Sequence, residues 1–527
     1  MSSTLKTETV KDSIEDIIDD FVQVMVDPAA LSTKIIPRHD SVGIGASQKA
    51  MDFAVTLSAR SLPDDDEAAR APVDIVVCLD VSGSMNGAKL NLCKETLALL
   101  LRELGPGDRF GLVSFGSQAQ IELSIKKLTP ENREAALIKI ESLSTSGMTN
   151  MSGGIGLAAQ ELNAVENPHS VRSVFLLTDG HANQGISDMN GIVSITKNCL
   201  GPSKGHGGAT IHCFGYGQDH DSTMLKGISS ATEGGTYYYV EKETEVVSAF
   251  GDALGGLLSV VAQNVSVTLS VPKASAEKGV SITGVDHDSA VALPNGSYRV
   301  VLGDFYADEN RDILLRTTLT NAADENYVPH VTASVSYLDT IQKTIVTNKD
   351  VHGSVQRPLG CHVSMTNNHV ALQSIRIKTT KVIAATRILA DKNELEQART
   401  NITEYMNNLR QEIDQLEEST NPLVMQLLHE LDVIKAGLLS QHMYETTTGK
   451  YMDARIQTHS MQRCAEAVAF DVNDANKIDS LNVYRSKKKG MMSNKMRVAS
   501  ESSSKKQKEQ SPTTASFGNI IPHVNNI

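Results

Sequence analysis

Val73-Asp74-Ile75-Val76-Val77-Cys78-Leu79-Asp80-Val81-Ser82-Gly83-Ser84 decides how this chain folds. An almost unbroken apolar run of strand length passes straight into a polar cluster. A near-continuous apolar strand is what a parallel sheet buried on both faces requires. Asp80, Ser82 and Ser84 then stand at i, i+2 and i+4 on a tight loop at the carboxyl end of that strand, where open α/β sheets bind their ligands. Taken alone, the same residues would also suit a helix N-cap and turn, because Asp and Ser are favoured there for hydrogen bonding.

Outward from this stretch the pattern repeats. Phe110-Gly111-Leu112-Val113-Ser114-Phe115, Val171-Arg172-Ser173-Val174-Phe175-Leu176-Leu177 and Thr210-Ile211-His212-Cys213-Phe214-Gly215 are further buried strands. Between them, Leu90 to Leu104, Glu131 to Leu143, Ser152 to Val165 and Asp188 to Cys199 carry apolar residues at helical spacing. Alternating strands and helices imply right-handed crossovers and a doubly wound, mostly parallel α/β sheet. Two more polar loops fall in matching places: Ser146-Gly147-Met148-Thr149-Asn150 opens a helix, and Thr178-Asp179-Gly180 closes a buried strand. All three loops then converge on one edge of one sheet.

Two Asp, two Ser and a Thr offer only hard oxygen donors, a set that suits Mg²⁺, with Mn²⁺ or Ca²⁺ as alternatives, rather than zinc. Two carboxylates balance a divalent charge and the hydroxyls add none. Such an ion stays electrophilic and welcomes a carboxylate in an open coordination position. On these residues the chain resembles the von Willebrand factor type A domain, a Rossmann-like fold whose metal-ion-dependent adhesion site combines a D-x-S-x-S loop, a Thr and a second Asp. Asp80, Ser82, Ser84, Thr149 and Asp179 match all five positions. The resemblance implies metal binding by these five, completed by an Asp or Glu of a protein partner. Met148 departs from the pattern, since members often carry Gly before the Thr, and its side chain is expected to crowd the loop.

The remaining chain divides by periodicity. Residues 1–71 hold one amphipathic helical stretch, from Ile14 to Met25, and a strand over Asp52 to Ser58; residues 72–256 are the α/β domain. Alternation in Val265 to Val271, Ile313 to Leu319 and His330 to Tyr337 marks 257–367 as an antiparallel β domain, read as a sandwich. Residues 368–478 return to helical spacing, broken near Asn421-Pro422, and 479–527 read as a disordered basic tail. This order of domains, with Leu302-Gly303-Asp304-Phe305-Tyr306-Ala307-Asp308-Glu309-Asn310-Arg311-Asp312 ahead of a helical region, resembles intracellular plant and protist A-domain proteins of the RING-type ubiquitin-ligase family. None of the six cysteines forms a C-x-x-C pair, so the zinc finger and its activity are not carried over. Asp304, Asp308, Glu309 and Asp312 read as a solvated hairpin with surface pairing to Arg311 in preference to a second cation site, and His181 reads as a surface residue.

Composition sets the outer limits. The chain has 527 residues, 40% hydrophobic and 21% charged, which fits a multidomain globular protein. Its net charge is −13, yet Arg485 to Lys508 carries nine basic residues against the single acid Glu501, leaving −21 on the rest. A body that acidic repels nucleic acid and anionic lipid, and only the tail attracts them. The sequence shows neither a secretory signal nor a membrane-spanning run, so a cytoplasmic location is expected, with a nuclear one if the basic tail is an address. Gly201 to Gly208 does not fit a phosphate-binding loop, and no G-x-S-x-G elbow supports a serine hydrolase. The expectation is a non-enzymatic intracellular scaffold of unknown oligomeric state, or alternatively the recognition or regulatory part of a ubiquitin-ligase-type complex.

Overall fold

A computed structural model describes residues 29–63, 70–179, 181–202, 208–217, 220–240, 243–463 and 483–510, apart from the side chains of 243–245 and 501–510. The amphipathic stretch of Ile14 to Met25, the acidic loop after Pro63 and the end of the tail beyond 510 lie outside these residues.

The chain begins with β1 (Leu31–Pro37) and β2 (Ala50–Ala59) and then builds the α/β unit. Its sheet comprises β3 (Val73–Asp80), β4 (Arg109–Phe115), β5 (Ala119–Lys127), β6 (Val171–Thr178), β7 (Thr210–Tyr216) and β8 (Thr236–Val240) in the order β5-β4-β3-β6-β7-β8. Every pairing is parallel except β4 with β5. Strands β3 and β6 are buried along their whole length because helices cover both faces. One face packs on α1 (Ala88–Glu103), α2 (Pro130–Ser142) and α6 (Glu243–Leu257); the other packs on α3 (Met151–Asn163), α4 (Met189–Leu200) and α5 (Ser222–Ser230). From β3 the chain crosses outward to β4, and from β6 it crosses the other way to β7. The crevice at the carboxyl ends of β3 and β6 is therefore the topological switch point.

Two further sheets form the β unit. One runs β1-β2-β13-β10; the other runs β11-β12-β9-β14-β15, with β16 also paired to β14. The strands are β9 (Val260–Ser270), β10 (Ile282–Asp286), β11 (Val291–Ala292), β12 (Tyr298–Tyr306), β13 (Asn310–Thr318), β14 (Asp324–Asp339), β15 (Thr344–Thr347) and β16 (Val351–Arg357). Phe53, Val55, Leu57 and Ile313 of the first sheet meet Val265, Val267, Leu269 and Val335 of the second in one core. The strand over residues 50–59, placed by sequence in a segment of its own, is thus integral to this unit: Val55 stands opposite Ile313. Its outer face is also covered, since Ala54 and Leu314 pack on Val370.

Val370 belongs to α7 (Asn368–Asp391), which forms a bundle with α8 (Leu395–Leu416), α9 (Pro422–Gly437) and α10 (Gly449–Met461). The segment read as a disordered tail contains α11 (Lys487–Gln510). This helix lies against α6 at a distance that only glycine permits: a Cβ on Gly251 would come 2.5 Å from Ser493 Cα, and one on Gly255 would come 2.9 Å from Lys489 Cα. Met492 and Met496 enter the α/β core, and the Lys489 ammonium donates to Asp252 at 2.7 Å. Few apolar residues are needed when the partner helix supplies the close approach, which is why periodicity in the tail itself is faint. Lys489, in the basic tail, is 2% exposed.

A buried ionic knot joins the three units. Glu309 Oε1 accepts from both the Arg311 and the Arg463 guanidinium at 3.0 Å. Arg463, just past α10, also donates to the Gly234 carbonyl ahead of β8 and lies 4.0 Å from the Tyr306 ring centroid. Desolvation raises the Glu309 pKa, but the two guanidiniums outweigh it and hold the group below its ordinary value. Asp304 nearby is pushed up to about 6 by burial, against a hydrogen bond from Gln263 and the same two cations.

Two outcomes are expected. Glu309→Gln leaves two buried guanidiniums without their carboxylate and should destabilise the chain by about 3–5 kcal/mol in denaturant titration; a loss under about 1 kcal/mol would mean that the knot is not a structural constraint. For Asp304 the folded pKa lies above the ordinary carboxylate value, so the protonated form suits the fold, and stability is lost as pH rises through about 6. Asp304→Asn should therefore raise the thermal midpoint at pH 8 and leave it nearly unchanged at pH 4, and equal midpoints at pH 8 would contradict the assignment.

Candidate metal centre

The Asp80 loop is shaped by its own backbone. Asp80 ends β3, its Oδ1 accepts from the Ser82 N–H at 2.8 Å, and Val81 N–H donates to the Phe115 carbonyl at 2.9 Å. Gly83 N–H bonds to Gly147 O at 3.1 Å and Ser146 N–H to Val81 O at 2.7 Å, which clamps the first loop to the second. Gly147 makes that contact with φ +74°, and a Cβ there would stand 2.1 Å from Ser117 Oγ. Asn150 caps α3 through Gly153 N–H at 3.1 Å, while Thr149 N–H donates to Asn183 Oδ1 at 2.8 Å, so the second loop is tied to the third.

Side-chain oxygens of three of the five positions, Ser82, Ser84 and Asp179, are joined in one run. Ser82 Oγ lies 3.0 Å from Ser84 Oγ, and Ser84 Oγ donates to Asp179 Oδ1 at 2.7 Å. Asp80 Oδ2 accepts from the Thr178 hydroxyl at 2.6 Å. Thr149 is buried, and among the described residues no hydrogen bond joins its hydroxyl to the other four. Met148 is 45% exposed. His181 is on the surface, 66% exposed and 3.7 Å from Asp221.

Two participants went unnoticed in the sequence. Thr178 supplies the hydroxyl to Asp80; its place next to Asp179 at a strand end was the available signal. Lys89, in the first turn of α1, sets its ammonium on Asp179 Oδ2. Burial raises the Asp80 pKa, partly offset by hydrogen bonds from Thr178 and Ser82, with the Asp179 charge raising it further. No cation among the described residues pairs with Asp80.

The donor set fits a small hard cation. At about 2.1 Å from Mg²⁺, adjacent octahedral oxygens stand about 3.0 Å apart, and the Ser82–Ser84 and Ser84–Asp179 oxygen separations of 3.0 and 2.7 Å match such an edge. Among the described residues no three of His, Cys, Asp and Glu cluster to hold a metal elsewhere. In the alternative acidic stretch, Glu309 is bound to Arg311 and Arg463, and Asp312 to His369. The pairing of Glu309 with Arg311 is buried, not at the surface as read from sequence, because the hairpin is covered by the end of α10.

The strand order and these loops define a doubly wound α/β domain with an oxygen-lined crevice at its switch point. Residues 74–252 match the von Willebrand factor type A domain family, and the chain carries that domain. It is 27% identical over 335 residues to E3 ubiquitin-protein ligase WAV3 of Arabidopsis thaliana, covering 63% of this chain and 42% of that protein. To inter-alpha-trypsin inhibitor heavy chain H1 of Bos taurus it is 34% identical over 169 residues, 31% of this chain and 18% of that one. The chain thus spans less than two thirds of the length of these curated relatives. In fold it is similar to the von Willebrand factor type A protein from Catenulispora acidiphila, with a TM-score of 0.58 and 17% identity over 75% of this chain and 89% of that one. The ArnB paralog VWA2 from Sulfolobus acidocaldarius gives 0.51 and 14%, over 82% and 98%.

Gly147 provides a test of the clamp. Gly147→Ala meets both an unfavourable φ and the Ser117 hydroxyl, whereas Gly87→Ala, at φ +83°, has nothing within 4 Å. Gly87→Ala should lower stability by about 1 kcal/mol from backbone strain alone, and Gly147→Ala by clearly more. Equal losses in chemical denaturation would show that Ser117 yields and that the loop is not held as described.

Proposed function

We propose that this chain is a non-enzymatic scaffold that captures an Asp or Glu of a protein partner through a divalent ion, Mg²⁺ in the first place, held by Asp80, Ser82, Ser84, Thr149 and Asp179. Von Willebrand factor type A domains typically mediate protein–protein interaction. The observation that carries the reading is the run of oxygens from Ser82 through Ser84 to Asp179, at spacings of 3.0 and 2.7 Å, beside a buried Asp80. The ion would supply Lewis acidity toward a carboxylate. The chain's residues would hold the ion, the two carboxylates balancing its charge while the neutral hydroxyls leave it electrophilic toward a further carboxylate. Hydrolysis would need a positioned general base or a second metal, and the described residues around this loop set supply no further carboxylate or imidazole bonded to it.

The similarity to a plant ubiquitin ligase over 63% of this chain favours a second, more specific setting, the substrate-recognition or regulatory part of a ligase-type assembly. No C-x-x-C pair among the six cysteines of these 527 residues supplies the zinc finger of such an assembly. Purification from cells with no ligase or ubiquitinated partner attached would remove that setting. Among the described residues no helix is long and apolar enough to cross a membrane.

Calorimetric titration of Mg²⁺, Mn²⁺ and Ca²⁺ into the full chain tests the metal. Wild type should bind one ion, and Ser84→Ala and Asp179→Asn should each weaken it at least tenfold, with circular dichroism unchanged. Absence of binding by folded wild type would overturn the metal-dependent mechanism.

A further inference from the structure

The amino ends of the parallel strands, at the opposite end of the sheet from the proposed metal loops, border a cavity of about 700 Å³ shared with the β unit. On the α/β side its wall includes Arg172 of β6, Lys197 in the last turn of α4 and Glu233 ahead of β8. The β unit contributes Gln263 of β9, Asp304 of β12 and Lys343 of the hairpin between β14 and β15. Small-molecule sites occupy about 300–1,000 Å³. The two units meet beside this cavity at a separation set by glycine. Gly303 has φ +71°, and a Cβ on it would come 3.1 Å from the backbone carbon of Glu233; one on Gly234 would come 3.7 Å from the Asp304 nitrogen. Glu233 and Asp304, one from each unit, are therefore held as neighbours.

Four ionisable side chains of the wall are short of partners. Asp304 is 8% exposed, and its Oδ2 accepts from Gln263 Nε2 at 3.2 Å. Arg311 and Arg463 bond to its backbone carbonyl, and among the described residues no cation bonds to its carboxylate. Glu233 is exposed and, among the described residues, enters no hydrogen bond or ion pair through its side chain. Desolvation raises the pKa of both carboxyls, and for Asp304 the Glu233 charge adds to the rise. Lys197 and Lys343 are exposed and likewise unpaired among the described residues. The other basic groups of the wall are engaged: Arg172 donates to Asn163 Oδ1 at 2.9 Å, and His169 Nδ1 lies 2.8 Å from Asp74 Oδ1. Two ammoniums and two carboxyls thus border one cavity without pairing. An anion alone leaves the acids unmet, and a cation alone leaves the lysines unmet. A molecule of both signs serves all four.

We infer that this cavity binds a small organic zwitterion of short-peptide size, its ammonium against Asp304 and Glu233 and its carboxylate against Lys197 and Lys343. The inference stands apart from the metal-dependent reading, since the two sites lie at opposite ends of the sheet. Affinity-selection mass spectrometry on the full chain at neutral pH tests it, with a synthetic library of free-ended tripeptides as the probe. The same library N-acetylated, and again C-amidated, provides the controls. Free-ended tripeptides should be retained and both capped libraries lost. In calorimetry the best tripeptide should bind Asp304→Asn and Lys197→Ala/Lys343→Ala at least tenfold more weakly than wild type, with EDTA without effect. Circular dichroism checks that both variants fold, and the exposed, unpaired lysines keep the test decisive should Asp304→Asn not fold.

Retention of capped peptides as strong as that of free ones, or undiminished binding by a folded variant, overturns the inference. So does retention of no tripeptide by the folded wild type. Peptide binding that EDTA abolishes would assign the peptide to the metal loops, overturning the cavity assignment while leaving the metal reading standing.

Discussion

Glu309 holds two guanidinium groups inside the molecule, and the arrangement of the three units depends on it. A carboxylate taken out of water is costly unless paired, and here the pairing is shared: Arg311 comes from the same hairpin, Arg463 from the far end of the helical bundle. Arg463 reaches further, to the carbonyl of Gly234 in the α/β unit. The Gln462 side chain pairs with the backbone of Asp312 through both of its ends, at 2.9 and 2.8 Å. The end of α10 is thus fastened to a strand by a side-chain amide and to the α/β unit by a buried charge. Arg463 alone among these side chains bonds to both of the other units.

The position of this knot explains where the site can be. Gly234 precedes β8, so the knot grips the amino ends of the parallel strands. The edge strand β8 is covered by α10, whose Gln457 accepts from Tyr237 N–H at 2.9 Å, and α6 is covered by α11. Flanking units therefore occupy one edge, one face and the amino end of the sheet. None of these contacts involves the carboxyl ends of β3 and β6, where strand order reverses.

Legibility followed locality. β3 and its loop could be read because an apolar run and a polar triplet occupy twelve consecutive residues, and Thr149 and Asp179 could be added because each lies beside its own strand or helix signal. The pairing of Val55 with Ile313 was beyond reach: alternation in β2 marked a strand but carried no information about a partner more than two hundred residues away. The tail helix escaped for a different reason. Its contact is made by Gly251 and Gly255 on α6, and its own apolar contribution to the core is two methionines and the flank of Ala499. A charged residue such as Lys489 reads as solvent-facing unless the buried Asp252 opposite is known, and Arg463 likewise has no sequence signature apart from Glu309.

The same limit concealed Lys89, and its presence bears on how the site coexists with the fold. Two buried carboxylates side by side repel, and leaving both without a counter-charge would strain the carboxyl end of the sheet. The structure divides the problem. Asp179 receives the Lys89 ammonium, while Asp80 receives the Thr178 hydroxyl and the Ser82 N–H, with burial raising its pKa. Each acid is thereby accommodated by the chain itself. In the proposed mechanism the Lys89 ammonium is the counter-charge that a divalent ion would meet at Asp179.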